Sequence, residues 1–86
     1  MKDLERPLRA MANRRRLAIL KYLKQNREAP VADIAGAIRL SFKATSKHLA
    51  VLAAADLVER DQRSLQMFYR IASDLKPVAR HIIALL

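Results

Sequence analysis

Two runs of apolar residues at helical spacing are separated by only Arg39 and Leu40, and no other feature of this 86-residue chain restricts its fold as strongly. The first run opens at Pro30, which suits the first turn of a helix, and places Val31, Ile34 and Ile38 at i, i+3 and i+7. The second starts at Ser41, an N-cap candidate, and reads to about Ala55. It sets Thr45, Leu49 and Leu52 on one side and Lys43, Ser46 and Lys47 on the other. Two short helices joined by so tight a turn predict helix-turn-helix geometry.

Upstream, Leu4, Leu8 and Met11 fall at helical spacing between Lys2 and about Met11. Pro7 lies in the second turn, so this first helix either starts late or is kinked there. Asn13 caps a second helix to about Gln25 that buries Leu17, Ile19, Leu20 and Leu23, and Asn26 suits its stop. After Asp56 the period changes to two. Leu57 to Arg60 and Leu65 to Ile71 read as strands, with Leu65, Met67, Tyr69 and Ile71 alternating against Gln66, Phe68 and Arg70. Asp61-Gln62-Arg63-Ser64 reads as a polar hairpin tip between them. Ser73 or Asp74 caps a fifth helix, with Pro77 in its first turn, where a missing N–H costs no internal bond. The predicted class is mainly α (α+β), a winged helix-turn-helix in one domain over residues 1–86. Its order is helices 1 to 4, a two-stranded wing and a C-terminal helix 5.

Gly36 is the lone glycine, too few turn residues for an all-β design. Without cysteine there is no disulfide, thiolate metal site or cysteine nucleophile. No glycine-rich phosphate loop, paired carboxylates or nucleophile–base pair is present, and so short a chain is not expected to form a pocket of a few hundred cubic ångströms. The expectation is no enzyme and no cofactor. Seventeen Lys+Arg against eight Asp+Glu leave a net charge of +9, and a hydrophobic fraction of 52% excludes a disordered basic tail. The longest apolar run, Leu49 to Ala55, is far short of the roughly 20 residues of a membrane span. MKDLERPLRA has no signal-peptide core. Lys76 and Arg80 are too few cations to anchor the last helix on an acidic membrane. These features predict a cytoplasmic basic domain whose partner is an anionic polymer.

Ala10-Met11-Ala12-Asn13-Arg14-Arg15-Arg16-Leu17-Ala18-Ile19-Leu20 resembles the opening motif of ArsR-type winged-helix transcriptional regulators. Leu40-Ser41 with Ser46-Lys47-His48-Leu49-Ala50-Val51-Leu52 resembles their recognition helix. Leu57-Val58-Glu59-Arg60 and Phe68-Tyr69-Arg70-Ile71 are similar to their wing strands. The resemblance covers nearly the whole chain. It implies a homodimer held by its first and last helices that reads operator DNA, usually as a repressor. The chain departs from the family's pattern twice. Asp56 stands where the family has a glycine ending the recognition helix, so the helix is open to a different ending here. Ala35 and Ala37 match the positions of the metal-binding cysteines, and alanine cannot ligate metal. The family's other metal site pairs Asp and His along the last helices, where this chain offers only Asp74 and His81. No metal is expected.

The expected DNA contacts are Ser41, Phe42, Lys43, Ser46, Lys47 and His48 on the recognition helix, Arg14 and Arg15 on the second helix, and Gln62, Arg63 and Ser64 on the wing. From Phe42 to Ala55 there is no carboxylate, and Lys43 and Lys47 repel at i, i+4, which fits a helix awaiting phosphates. A solvated cationic face is the plainer reading. Phe42 is either a lid over the core or a contact for a thymine methyl. Three arginines at a helix N-terminus oppose its dipole. One of Arg14 and Arg15 is read as a phosphate contact, whereas Arg16 is read as an ion-pair partner of Asp33 or Asp56. His48 is read as hydrogen-bonding backbone or phosphate. Arg63 is either a minor-groove contact or part of a solvated turn.

Leu75, Val78, Ala79, Ile82 and Leu86, widened by Ile83, make a C-terminal stripe beyond the needs of one small core; Leu4, Leu8 and Met11 add to it. The expected partners are therefore double-stranded DNA bearing an inverted repeat and a second copy of the chain. A protein–protein interaction module is the alternative, for which an uncharged recognition helix and an apolar wing would be the signature.

Overall fold

The structure, a computed structural model, describes residues 1–86. Its elements are α1 (Lys2–Met11), α2 (Arg14–Asn26), β1 (Ala29–Pro30), α3 (Val31–Ile38), α4 (Phe42–Ala54), β2 (Val58–Arg63), β3 (Gln66–Ile71) and α5 (Pro77–Ala84). The class is mainly α with a β wing, as the sequence predicts.

Local signals set the helix ends around the tight turn. Asn13 Oδ1 accepts from the backbone N–H of Arg15 at 3.0 Å and of Arg16 at 3.1 Å, opening α2. Ser41 Oγ accepts from Ala44 N–H at 3.1 Å, opening α4. The exits of α3 and α4 share one solution. Leu40 N–H donates to Ala35 O at 3.0 Å and Arg39 N–H to Gly36 O at 3.4 Å. At the end of α4, Leu57 N–H donates to Leu52 O and Asp56 N–H to Ala53 O, both at 3.0 Å. Both are Schellman closures with a left-handed residue, Arg39 at φ 56° and Asp56 at φ 59°. Asp56 therefore takes the glycine-like conformation itself, and the helix is not redirected.

The core gathers at the junction of the helices and the sheet. Ile19, Leu20, Leu23, Ile34, Leu49, Leu52 and Leu57 are fully buried there. At α5, Lys24 Nζ donates to Ala84 O at 2.9 Å, tying the last helix's C-terminus to α2.

Several boundaries differ from the sequence expectations. α1 begins at Lys2 and runs through Pro7, which is buried; Asp3 and Glu5 in the first turn complement the helix dipole. α2 ends with Asn26, whose side-chain amide donates to Tyr22 O at 2.9 Å, and Arg27 rather than Asn26 takes the positive φ. Pro30 lies outside α3, as its N-cap in extended conformation. With Ala29 it forms a third strand, so the sheet is three-stranded in the order β1-β3-β2, antiparallel throughout. An edge strand tolerates proline because one row of its N–H groups needs no partner. β2 continues through Asp61, Gln62 and Arg63, which pair with Phe68, Met67 and Gln66. The turn is therefore Ser64-Leu65, with φ 57° at Ser64. Ser73 and Asp74 precede α5 without capping it; Lys76 is the N-cap and Pro77 the first residue.

Candidate nucleic-acid interface

The turn at Arg39 and Leu40 presents the first turn of α4 at the surface. Ser41, Phe42, Lys43 and Lys47 are exposed and Ser46 is half-buried, while Thr45, Leu49 and Leu52 on the opposite side are fully buried. Phe42 is 60% exposed, so it is no lid over the core. Neither Lys43 nor Lys47 has a carboxylate within ion-pair distance. α4 thus offers an uncompensated cationic edge with one aromatic ring beside it.

His48 points inward from that edge. Its Nδ1 lies 3.3 Å from Arg16 Nη1, and Arg16 Nε donates to the carbonyl of Ala10. Arg16 therefore serves structure, as expected, but through a carbonyl and an imidazole rather than Asp33 or Asp56. Burial first, then the charges of Arg16 and Arg15, holds His48 below the ordinary histidine range. The ring stays neutral near pH 7, with Nδ1 as acceptor and Nε2 as the remaining donor. One ring nitrogen is thus engaged within the protein.

Arg14 is exposed and Arg15 half-buried. With Lys21 they line a shallow groove of about 400 Å³ between α2 and α3, floored by Ala18, Tyr22 and Ile38 and free of carboxylates.

The wing departs most from expectation. Arg63 is no free cation at the tip. Its Nη1 and Nη2 donate to Glu28 Oε2 and Oε1 at 2.8 and 2.9 Å, and its Nε to Asp61 Oδ2 at 3.1 Å. The guanidinium also stacks 4.6 Å from the centroid of the Phe68 ring. Two carboxylates hold it, where the sequence alone suggests a free minor-groove or phosphate contact or a solvated turn. The tip itself is Ser64 with Leu65, which is 97% exposed rather than facing the core as strand alternation suggests. Gln62 is exposed on β2. Glu28 and Leu65 are the residues that sequence reasoning missed. No local pattern marks a pair 35 positions apart, and leucine's strand-compatible period hid the turn.

On the side of α1 and α5, the expected interface residues divide. Met11, Ala79 and Ile83 are at most 5% exposed and belong to the chain's own core, because α1 and α5 pack inward through them. Leu4 and Leu8 are each 39% exposed and Leu85 is 73% exposed; Leu75, Val78, Ile82 and Leu86 are half-buried. Beside them runs an open groove of about 680 Å³, larger than expected for so short a chain. Lys2, Arg6, Lys76 and Arg80 line it together with Asp3, Asp56, Glu59 and Asp74. Asp74 and His81 are both exposed, and no group of three His, Asp or Glu side chains is placed to hold a metal ion.

Residues 13–60 match the bacterial regulatory protein family arsR. The transcriptional activator HlyU of Vibrio cholerae is 41% identical over 66 residues, 77% of this chain and 60% of HlyU. The chain thus spans about three fifths of that relative's length. A homodimeric winged helix-turn-helix DNA-binding domain from Mycobacterium bovis superposes with a TM-score of 0.84 at 37% identity, covering 98% of this chain and 74% of that one. The transcriptional repressor PagR of Bacillus anthracis gives 0.81 at 26% identity, covering 98% and 92%. With the family's match extending from the cap of α2 to the wing, and relatives alike in both sequence and fold, the chain belongs to the arsR family of bacterial regulatory proteins.

Proposed function

We propose that the protein is a homodimeric transcriptional regulator that binds an inverted-repeat operator in double-stranded DNA, with α4 in the major groove. The observation that carries this reading is the exposed edge of Phe42, Lys43 and Lys47, on a helix without a carboxylate, behind a helix-turn-helix bend. Lys43 and Lys47 contact guanine edges or phosphates; Ser41 and Ser46 add hydroxyls, and Phe42 meets a thymine methyl. Arg14 and Arg15 bind flanking phosphates through their carboxylate-free groove. Gln62, Ser64 and Leu65 approach the neighbouring minor groove from the wing. The apolar strip of Leu4, Leu8, Val78, Ile82 and Leu85 pairs two subunits. No catalytic step and no metal enters this reading. Among the relatives one is named an activator and one a repressor.

A second reading, a protein–protein interaction module, is favoured by one observation, the fully exposed apolar tip at Leu65. Selection from random-sequence duplexes separates the two. Enrichment of an inverted repeat, with half-sites about one helical turn apart, is the expected result. Failure to enrich any sequence, under conditions where the protein is folded, overturns the DNA reading and promotes the module.

A further inference from the structure

Arg63 and Glu28 form the most elaborate polar contact in the molecule, and neither the core nor the α4 edge accounts for it. Glu28 lies just before β1, on the body side of the sheet, whereas Arg63 is the last residue of β2 beside the Ser64-Leu65 turn. β1 runs towards the tip, Ala29 pairing with Tyr69 and Pro30 with Phe68, so Glu28 sits towards the root of the wing. The Arg63 side chain folds back along the sheet, over the Phe68 ring, and reaches the Glu28 carboxylate in bidentate geometry. Asp61, on the same strand face, holds its Nε. One side chain thereby bridges the outer end of the hairpin to the connection between α2 and β1. The Glu28 carboxyl lies below the usual carboxylate range, chiefly through the hydrogen bond from Arg63, so the contact is fully ionised near neutral pH.

We propose that Glu28 is a positioning residue for the wing: by clamping Arg63 it fixes the angle at which the Ser64-Leu65 tip stands relative to α4. The proposal rests on the DNA-binding reading for its consequence, though not for the clamp itself. It predicts an effect of unusual sign. Removing a negative charge from a DNA-binding surface strengthens binding if Coulomb repulsion is all that matters. Removing the clamp weakens binding, because a hairpin held only by its ladder must be ordered when it meets the groove.

The test compares the full chain with its Glu28→Ala, Glu28→Gln and Arg63→Ala variants. Two quantities are read: amide hydrogen exchange along residues 62–68 in the free protein, and affinity for the selected duplex across salt concentrations. Expected for Glu28→Ala are faster exchange confined to the wing and an affinity loss of about three- to fivefold, the upper part of the range a well-formed surface ion pair supports. Glu28→Gln keeps an acceptor oxygen at the same reach and stays within about twofold of the parent, although it removes the same charge. The proposal is overturned if Glu28→Ala tightens binding, or if wing exchange is unchanged. It is also overturned if Arg63→Ala lowers the salt slope by about one phosphate while Glu28→Ala has no effect, since Arg63 would then be a DNA contact. Should the parent enrich no duplex, the DNA reading fails by itself, and the exchange data still decide the clamp.

Discussion

Thr45 is fully buried against the core and its Oγ1 has no hydrogen-bond partner. An unsatisfied buried hydroxyl costs roughly 1–3 kcal/mol, so Thr45→Val, which keeps the shape, is expected to stabilise the fold by about 1 kcal/mol. The urea midpoint reads this; an unchanged or lower midpoint would show that the hydroxyl finds a partner in solution. His48 carries the opposite kind of information. Its folded state favours the neutral ring, through burial and then through Arg16 and Arg15, so below the ordinary value of 6.5 the unfolded chain binds more protons than the folded one. Stability is then complete above about pH 6.5 and falls as pH drops through that window towards the depressed folded value. Urea midpoints between about pH 5 and 7.5 are expected to slope upward with pH, and His48→Gln to flatten the slope. The Glu28 carboxyl, lowered from 4.5, loses its contribution only at more acid pH, so the two groups separate.

At the scale of the element, α4 divides its labour between two faces, and the division is testable. Lys43→Ala and Lys47→Ala relieve a like-charge i, i+4 pair, so thermal stability is expected to hold or rise by about 0.2–0.5 kcal/mol. Affinity for the selected duplex is expected to fall, with the salt slope reduced by about one for each phosphate that is no longer neutralised. Unchanged affinity in the double variant would remove α4 from the interface. These faces were legible in the sequence because Thr45, Leu49 and Leu52 repeat at the helical period and Ser41 and Asn13 are capping residues. The wing was less legible. Asp61, Gln62 and Arg63 have turn-like composition, yet they pair as a strand because the ladder with Phe68, Met67 and Gln66 satisfies their backbone groups. Ser64 adopts a positive φ without the Gly or Asn that marks such turns. β1 is two residues long, too short for any period to register. The exposed and buried faces of α4 were therefore readable from local pattern, whereas the Arg63–Glu28 contact is one that only the folded sheet creates.

The folded chain measures 37 × 23 × 22 Å and carries one helix-turn-helix, α3 and α4. Reading two half-sites about 34–36 Å apart requires a second copy. The exposed Leu8 and Leu85 on the terminal helices are the means proposed for recruiting it, and both can change without opening the core. A Leu8→Glu, Leu85→Glu variant is expected to remain folded, to sediment as a monomer and to lose operator binding; a folded dimer of parental affinity would contradict this arrangement. On the proposed function, the +9 charge serves DNA recognition. The dissociation constant for the selected duplex, measured between about 50 and 200 mM salt, tests it most directly. If the dimer neutralises about 6–10 phosphates, affinity falls by roughly 10³–10⁵ across that range. An affinity that stays level across the same range would contradict it.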